Sequence, residues 1–133
     1  MKMGIFKEWK NTDVRMLSPL KLAYIGDAVY EVYIRRFLLE NSNENMGKIH
    51  KKSTKYVSAK AQSDIVFFLD SLLTDEEKSI IRRGRNTKSN TVPKNANIQD
   101  YKYATGFEAL IGYLYLNDRI ERIEELMNEI LAR

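Results

Sequence analysis

Apolar residues recur along this chain at the three- and four-residue steps of a helix, and polar punctuation separates the runs. Ser18-Pro19 offers an N-cap with proline at the first helical position. The helix it opens is predicted to run to about Glu40 and to stop in the polar stretch NSNEN, Asn41 to Asn45. A short helix is predicted over Gly47 to Lys52. Val57, Ala61, Ile65, Phe68 and Leu72 then recur at helical spacing and predict a helix from about Ser53 to Ser71. Thr74 with Glu77 three residues on is a capping-box pattern. It opens a helix reaching about Arg83, with Gly84 as its terminator. The stretch RGRNTKSNTVPKNANIQ, Arg83 to Gln99, has almost no apolar residues and reads as an exposed basic loop. A helix follows from about Ile98 through TGFEALIGYLYL, and Asn117-Asp118 breaks or caps it. Arg119 to Arg133 is a closing amphipathic helix with Ile120, Ile123, Leu126, Met127, Ile130 and Leu131 inward. No segment has the alternation of a strand. The expected fold is all-α, a single domain over residues 1–133.

Two of these helices are unusual. AYIGDAVYEVYI, Ala23 to Ile34, is apolar on every side and reads as a core helix, yet Asp27 sits in its middle and Glu31 follows one turn later. In YATGFEALIGYLYL, Tyr103 to Leu116, Glu108 is the only acid. Ala104, Thr105, Gly106, Ala109 and Gly112 lack bulk, so another helix can come close. An unpaired buried carboxylate costs several kcal/mol or takes up a proton. Two core helices with one isolated acid each can place Asp27 beside Glu108, and a divalent cation would relieve both repulsion and desolvation. Other readings compete. Each acid can pair with a lysine or arginine, or accept from the hydroxyls of Tyr24, Tyr30, Tyr33, Tyr113 or Tyr115. Asp27 can also pair with Glu31, four residues on along one helix face.

Composition narrows the chemistry. Of 133 residues, 44% are hydrophobic and 30% charged, as in a soluble globular protein. No apolar run reaches a membrane span, and the N-terminal stretch lacks a secretory signal's apolar core, so a cytoplasmic setting is expected. With no cysteine, disulfides and thiolate metal sites are excluded. One histidine, His50, excludes a multi-histidine site within one chain. Metal chemistry here would use oxygen ligands, which suit Mg²⁺ or Mn²⁺.

The net charge of +4 is unevenly spread. Met46 to Ser63 holds Lys48, Lys51, Lys52, Lys55, Lys60 and His50 with no acid. Arg82 to Lys102 holds six cations against Asp100 alone. Two separate basic blocks suggest a polyanionic partner. Within the second block, Arg82, Arg83, Arg85, Lys88 and Lys94 lie among amide and hydroxyl side chains, a mixture suited to phosphate contact.

These residues carry a resemblance. Ile25-Gly26-Asp27-Ala28-Val29 resembles the Leu-Gly-Asp-Ala/Ser-Val/Ile core of the ribonuclease III family. Phe107-Glu108-Ala109-Leu110-Ile111-Gly112 resembles that family's second acidic motif. AYIGDAVYE, HKKS, VSAKAQ, RGRN and PKN, with a chain this short, resemble its compact bacterial branch, Mini-ribonuclease III, with no double-stranded-RNA-binding domain following.

The resemblance implies a homodimeric, all-α, Mg²⁺-dependent endoribonuclease (Mn²⁺ possible as substitute) that cuts double-stranded RNA to 5′-phosphate and 3′-hydroxyl ends. It implies a role in maturing the large (23S) ribosomal RNA precursor. By motif position, Asp27 and Glu108 correspond to the catalytic, metal-associated acids. The longer family pattern has further acids where Ala23 and Thr105 stand here, which leaves water or RNA phosphate oxygens to complete a coordination shell. The alternative is a non-catalytic RNA-binding or ribosome-associated helical module; loss of either acid would favour it, and both are present.

Overall fold

The structure, a computed structural model, describes residues 4–88 and 94–133. Among these there are helices and no strand: α1 (Asn11–Met16), α2 (Pro19–Asn41), α3 (Met46–Val57), α4 (Ala59–Leu69), α5 (Asp75–Asn86), α6 (Ile98–Leu116) and α7 (Ile120–Ala132). A single 3-10 turn, Asp70–Leu72, follows α4.

Local chemistry sets most helix starts. Ser18 accepts from the Lys21 backbone N–H at 3.3 Å, with Pro19 at the first position of α2. At α5 both arms of the capping box form: Glu77 N–H donates to Thr74 Oγ1 at 3.1 Å, and Thr74 N–H to Glu77 Oε1 at 2.9 Å. Asn97 caps α6, whose start at Ile98 matches its sequence pattern. The α3–α4 break falls at Ser58 rather than near Ser53. Ser58 Oγ accepts from Ala61 N–H at 3.1 Å, whereas Ser53 turns its hydroxyl back onto the His50 carbonyl at 2.6 Å and stays within α3. Helix α1 had no pattern to predict it, because Val14 is its one buried residue. Of the positions expected inward, Phe68 and Leu72 are exposed. In α7, Ile123, Leu126, Met127 and Ile130 are buried as expected.

The axis of the molecule is α6, which packs against α2, α4 and α5. From Ala104 to Leu114 every residue of α6 is buried except Glu108, which is half-buried. The close approaches run through glycine. A Cβ on Gly26 would stand 1.7 Å from the Glu108 carbonyl oxygen, and one on Gly112 would stand 1.9 Å from that of Leu22. Backbone therefore meets backbone where α2 crosses α6.

Helix α2 departs from the core helix that its all-round apolar character predicts. One face is open: Leu20, Tyr24, Val32 and Leu39 are 42%, 84%, 64% and 63% exposed. Gly84 also differs from its predicted role. It does not end α5, which runs on to Asn86; it is buried, and a Cβ there would lie 2.7 Å from Gly106 Cα. Gly84 is a packing contact in mid-helix. Trp9 is half-buried at the edge of the core, with Lys7 Nζ 3.9 Å from its ring centre.

Candidate active site

The crossing of α2 over α6 brings the two isolated acids together. Gly26 lies on the Glu108 carbonyl, so the next residue, Asp27, is delivered to the neighbourhood of the Glu108 side chain. The two carboxyl groups are within hydrogen-bonding reach of each other. Asp27 is exposed rather than buried, and Glu108 is half-buried, so the pair opens to solvent from the α2 side.

Burial first, then the adjacent Asp27 carboxylate, push the Glu108 carboxyl up to about 8. The amide of Gln62 pulls the other way by donating to Glu108, and the charge of Glu31 adds to the upward push. No lysine or arginine comes within 4.0 Å of either acid among the described residues, which disposes of the internal ion-pair reading. Three of the tyrosines go elsewhere, Tyr33 to Glu124 among them. Tyr30 donates to the Tyr56 carbonyl at 2.8 Å, and Tyr113 reaches Glu76 at 2.6 Å and Asn11 at 2.9 Å. Glu31 pairs with Arg35 at 3.1 Å, and its charge is also felt at Glu108.

Two carboxylates this close, lacking a protein cation, form a set of hard oxygen donors suited to a divalent metal. Ala23 and Thr105 are both buried and add no carboxylate; Thr105 donates to the Tyr101 carbonyl at 3.0 Å. No group of three or more potential ligands forms among the described residues. The donor set fits a cation held by two protein acids and otherwise by solvent or substrate oxygens.

Gln62 is a third member of the site that the apolar pattern did not single out. It is 2% exposed, and its Nε2 donates to the Val57 carbonyl at 3.1 Å and to Glu108 Oε2 at 3.4 Å. The signal was present in the sequence: Gln62 precedes Ile65, Val66 and Leu69 by three, four and seven residues, and all three are buried.

The basic residues divide. Arg82, Arg83 and Arg85 belong to the last two turns of α5, not to the loop. Arg82 is exposed. Arg83 is half-buried and donates to the Leu17 carbonyl at 3.4 Å, which ties it to the segment leading into α2. Arg85 lies over the Tyr103 ring, 5.6 Å from its centre, and reaches the Tyr103 hydroxyl at 3.4 Å. Lys88 and Lys94 are exposed in the connection from α5 to α6; residues 89–93 of the predicted loop lie outside the described residues. The Gly84–Gly106 contact sets this end of α5 across α6 two residues before Glu108. On α3 and α4 the lysines are partly neutralised: Lys52 pairs with Glu44, and Lys60 with Asp64 at 3.1 Å. His50 is exposed.

Comparison with known proteins agrees with this architecture. The family model for the Ribonuclease III domain matches residues 20–119. A protein of Clostridium tetani named Mini-ribonuclease 3 is 48% identical over 131 residues, covering 98% of this chain and 87% of its own. A Thermoanaerobacter protein of the same name is 54% identical over 114 residues, covering 86% of this chain and 80% of its own. The crystal structure of a Fusobacterium nucleatum protein superposes with a TM-score of 0.81 at 36% identity, covering 90% of this chain and 96% of that one. The helical domain that sets Asp27 beside Glu108 lies within the matched span, and the chain belongs to the ribonuclease III family.

Proposed function

We propose that this protein is a metal-dependent endoribonuclease of double-stranded RNA, built as one domain over residues 1–133. The observation that carries the reading is the meeting of Asp27 and Glu108 from two helices with no protein cation between them. Asp27 and Glu108 would hold a divalent cation, Mg²⁺ or Mn²⁺. When bound, that ion supplies Lewis acidity toward a phosphate oxygen and a more acidic water. The exposed carboxylate of Asp27 keeps the pair accessible to a phosphodiester, and half-buried Glu108 anchors it to the rigid centre of α6. With Ala23 and Thr105 silent, water and the RNA backbone complete the shell.

Hydrolysis of the 3′ oxygen–phosphorus bond leaves 5′-phosphate and 3′-hydroxyl ends. A precursor of the large ribosomal RNA fits as substrate, in the cytoplasm; no helix is long and apolar enough to cross a membrane among the described residues. Long duplex RNA incubated with protein and Mg²⁺ should be cut, and chelation should stop the reaction. Duplex RNA left intact at every Mg²⁺ and Mn²⁺ concentration would defeat the proposal.

The basic end of α5 and its connection to α6 supply phosphate contacts, read by shape and charge rather than base sequence. Replacing Arg85, Lys88 and Lys94 together by alanine should weaken duplex binding. The slope of log affinity against log salt should fall by about 2 to 3, because each lost phosphate contact removes one counterion release. Saturating RNA should restore much of the cleavage rate. Unchanged affinity and slope would move the RNA path to Lys48, Lys51 and Lys55.

A duplex has two strands and each chain has one acid pair, so we propose a symmetric homodimer. The open stripe of Leu20, Tyr24, Val32 and Leu39 supports it, since a helix apolar all round expects cover on all sides. Sedimentation should give about twice the chain mass, and Tyr24→Asp should shift it toward the monomer. A wild-type monomer at micromolar concentration that still cuts both strands would contradict the dimer.

A further inference from the structure

The end of α3 is tied into the interior by two neighbouring carbonyls. Helix C-termini leave carbonyl groups without intrahelical partners. Here the Tyr56 carbonyl accepts from the Tyr30 hydroxyl of α2 at 2.8 Å, and the Val57 carbonyl accepts from Gln62 Nε2 of α4 at 3.1 Å. The second bond decides which way the Gln62 amide points. A carbonyl can only accept, so the amide must present its NH₂ to Val57. The other hydrogen of that NH₂ goes to Glu108 Oε2 at 3.4 Å. A flipped amide would turn an oxygen toward the Val57 carbonyl and lose that bond. Gln62 Oε1, by contrast, is buried and finds no donor. For filling space alone a methionine would serve, without an unpaired buried acceptor. The bonded half of the amide is the half that touches the acid.

We propose that Gln62 is the positioning residue of the acid pair, holding the Glu108 carboxylate in one orientation beside Asp27 through an amide fixed by the Val57 carbonyl. The role rests on the metal-dependent reading above. Glu108 has three side-chain torsions and its neighbour Asp27 is exposed, so the Gln62 bond is the restraint on its carboxylate from the interior side. The role also differs from simple capping of α3, since the Tyr30–Tyr56 bond closes the same helix end without touching Glu108.

Gln62→Met keeps the length and removes the donor, and Tyr30→Phe removes the matching bond at the neighbouring carbonyl. Mn²⁺ binding to the protein alone, read from the free-ion resonance signal, should weaken about tenfold or more in Gln62→Met, in the range set by partners that orient metal ligands. At saturating metal its kcat should fall by about ten- to a hundredfold with KM for duplex RNA nearly unchanged. Tyr30→Phe should lower the melting temperature and leave Mn²⁺ affinity as in wild type. Gln62→Met with wild-type Mn²⁺ affinity and kcat would make Gln62 an interior cap only, as would equal losses of metal affinity in both variants. In the wild-type protein the side-chain amide signals of Gln62 should shift on Mg²⁺ titration and stay still in Glu108→Gln. Signals unmoved by saturating Mg²⁺ overturn the role even if Gln62→Met fails to fold. If wild-type protein cuts no duplex RNA, the functional reading falls, while the Mn²⁺ titrations still decide the positioning.

Discussion

Asp27→Asn and Glu108→Gln should each lower duplex-RNA cleavage by on the order of a thousandfold or more, which is about 4 kcal/mol of lost transition-state stabilisation. Both replacements are isosteric, so fold and RNA affinity should remain near wild type. The stability readout is informative because the pair is strained without a cation. Folding raises the Glu108 carboxyl from 4.5 to about 8, by burial and then by Asp27. A raised folded value means the native state binds the proton more tightly than the unfolded chain. That contribution is fully present below the unfolded value and is lost as pH rises toward about 8. Metal-free wild type should therefore lose melting temperature across this window, and Glu108→Gln should lose less. Added Mg²⁺ should stabilise wild type, because a ligand of the native state alone shifts the equilibrium toward it. It should leave both variants unmoved. Wild-type cleavage by either variant would place the catalyst elsewhere on the molecule.

Gly26→Ala should be among the most damaging single-methyl additions in the chain. The new Cβ would stand 1.7 Å from the Glu108 carbonyl oxygen and 2.7 Å from the Gly112 nitrogen. Both are backbone atoms of a buried helix and cannot swing aside. The helices must separate, at a cost of about 3 kcal/mol or more, the upper range for an overpacked core. The separation also moves Asp27, the next residue, away from Glu108, and a displacement of about 1 Å can cost a hundredfold in rate. Gly47→Ala is the matched control: its nearest neighbour is Asn45 Oδ1 at 3.4 Å, so the methyl is accommodated. It should be neutral or stabilising by up to about 1 kcal/mol through helix propensity. Denaturant melts and cleavage rates on both variants test the contrast. A Gly26→Ala protein with wild-type stability and rate would mean that α2 and α6 do not meet backbone to backbone.

The helices themselves were written in short-range signals. Ser18-Pro19 and Thr74 with Glu77 set their ends because a cap is satisfied within about one turn, by atoms the sequence places there whatever the rest of the chain does. The isolation of Asp27 and Glu108 in apolar helices was legible for the same reason: a carboxylate among buried neighbours needs a partner, and the pattern shows that none is local. Which of two serines would end α3 was not legible, since Ser53 and Ser58 can each cap. In the fold Ser58 caps α4, and the Ser53 hydroxyl turns back onto its own helix. Gly84 has the composition of a helix stop, and only the approach of Gly106 makes it a contact instead. Arg83 counts as a loop cation until the Leu17 carbonyl is brought to it from 66 residues away. Gln62 looked like one polar residue among alanines until the fold put Val57 on one side of its amide and Glu108 on the other. Caps and periodicity are settled within a few residues, whereas what meets a missing Cβ, which face stays uncovered and which acids become neighbours depend on helices far apart in sequence. In this chain those meetings are set by the small residues of α6, where the absence of side chains lets α2 and α5 come close enough to bring Asp27 to Glu108.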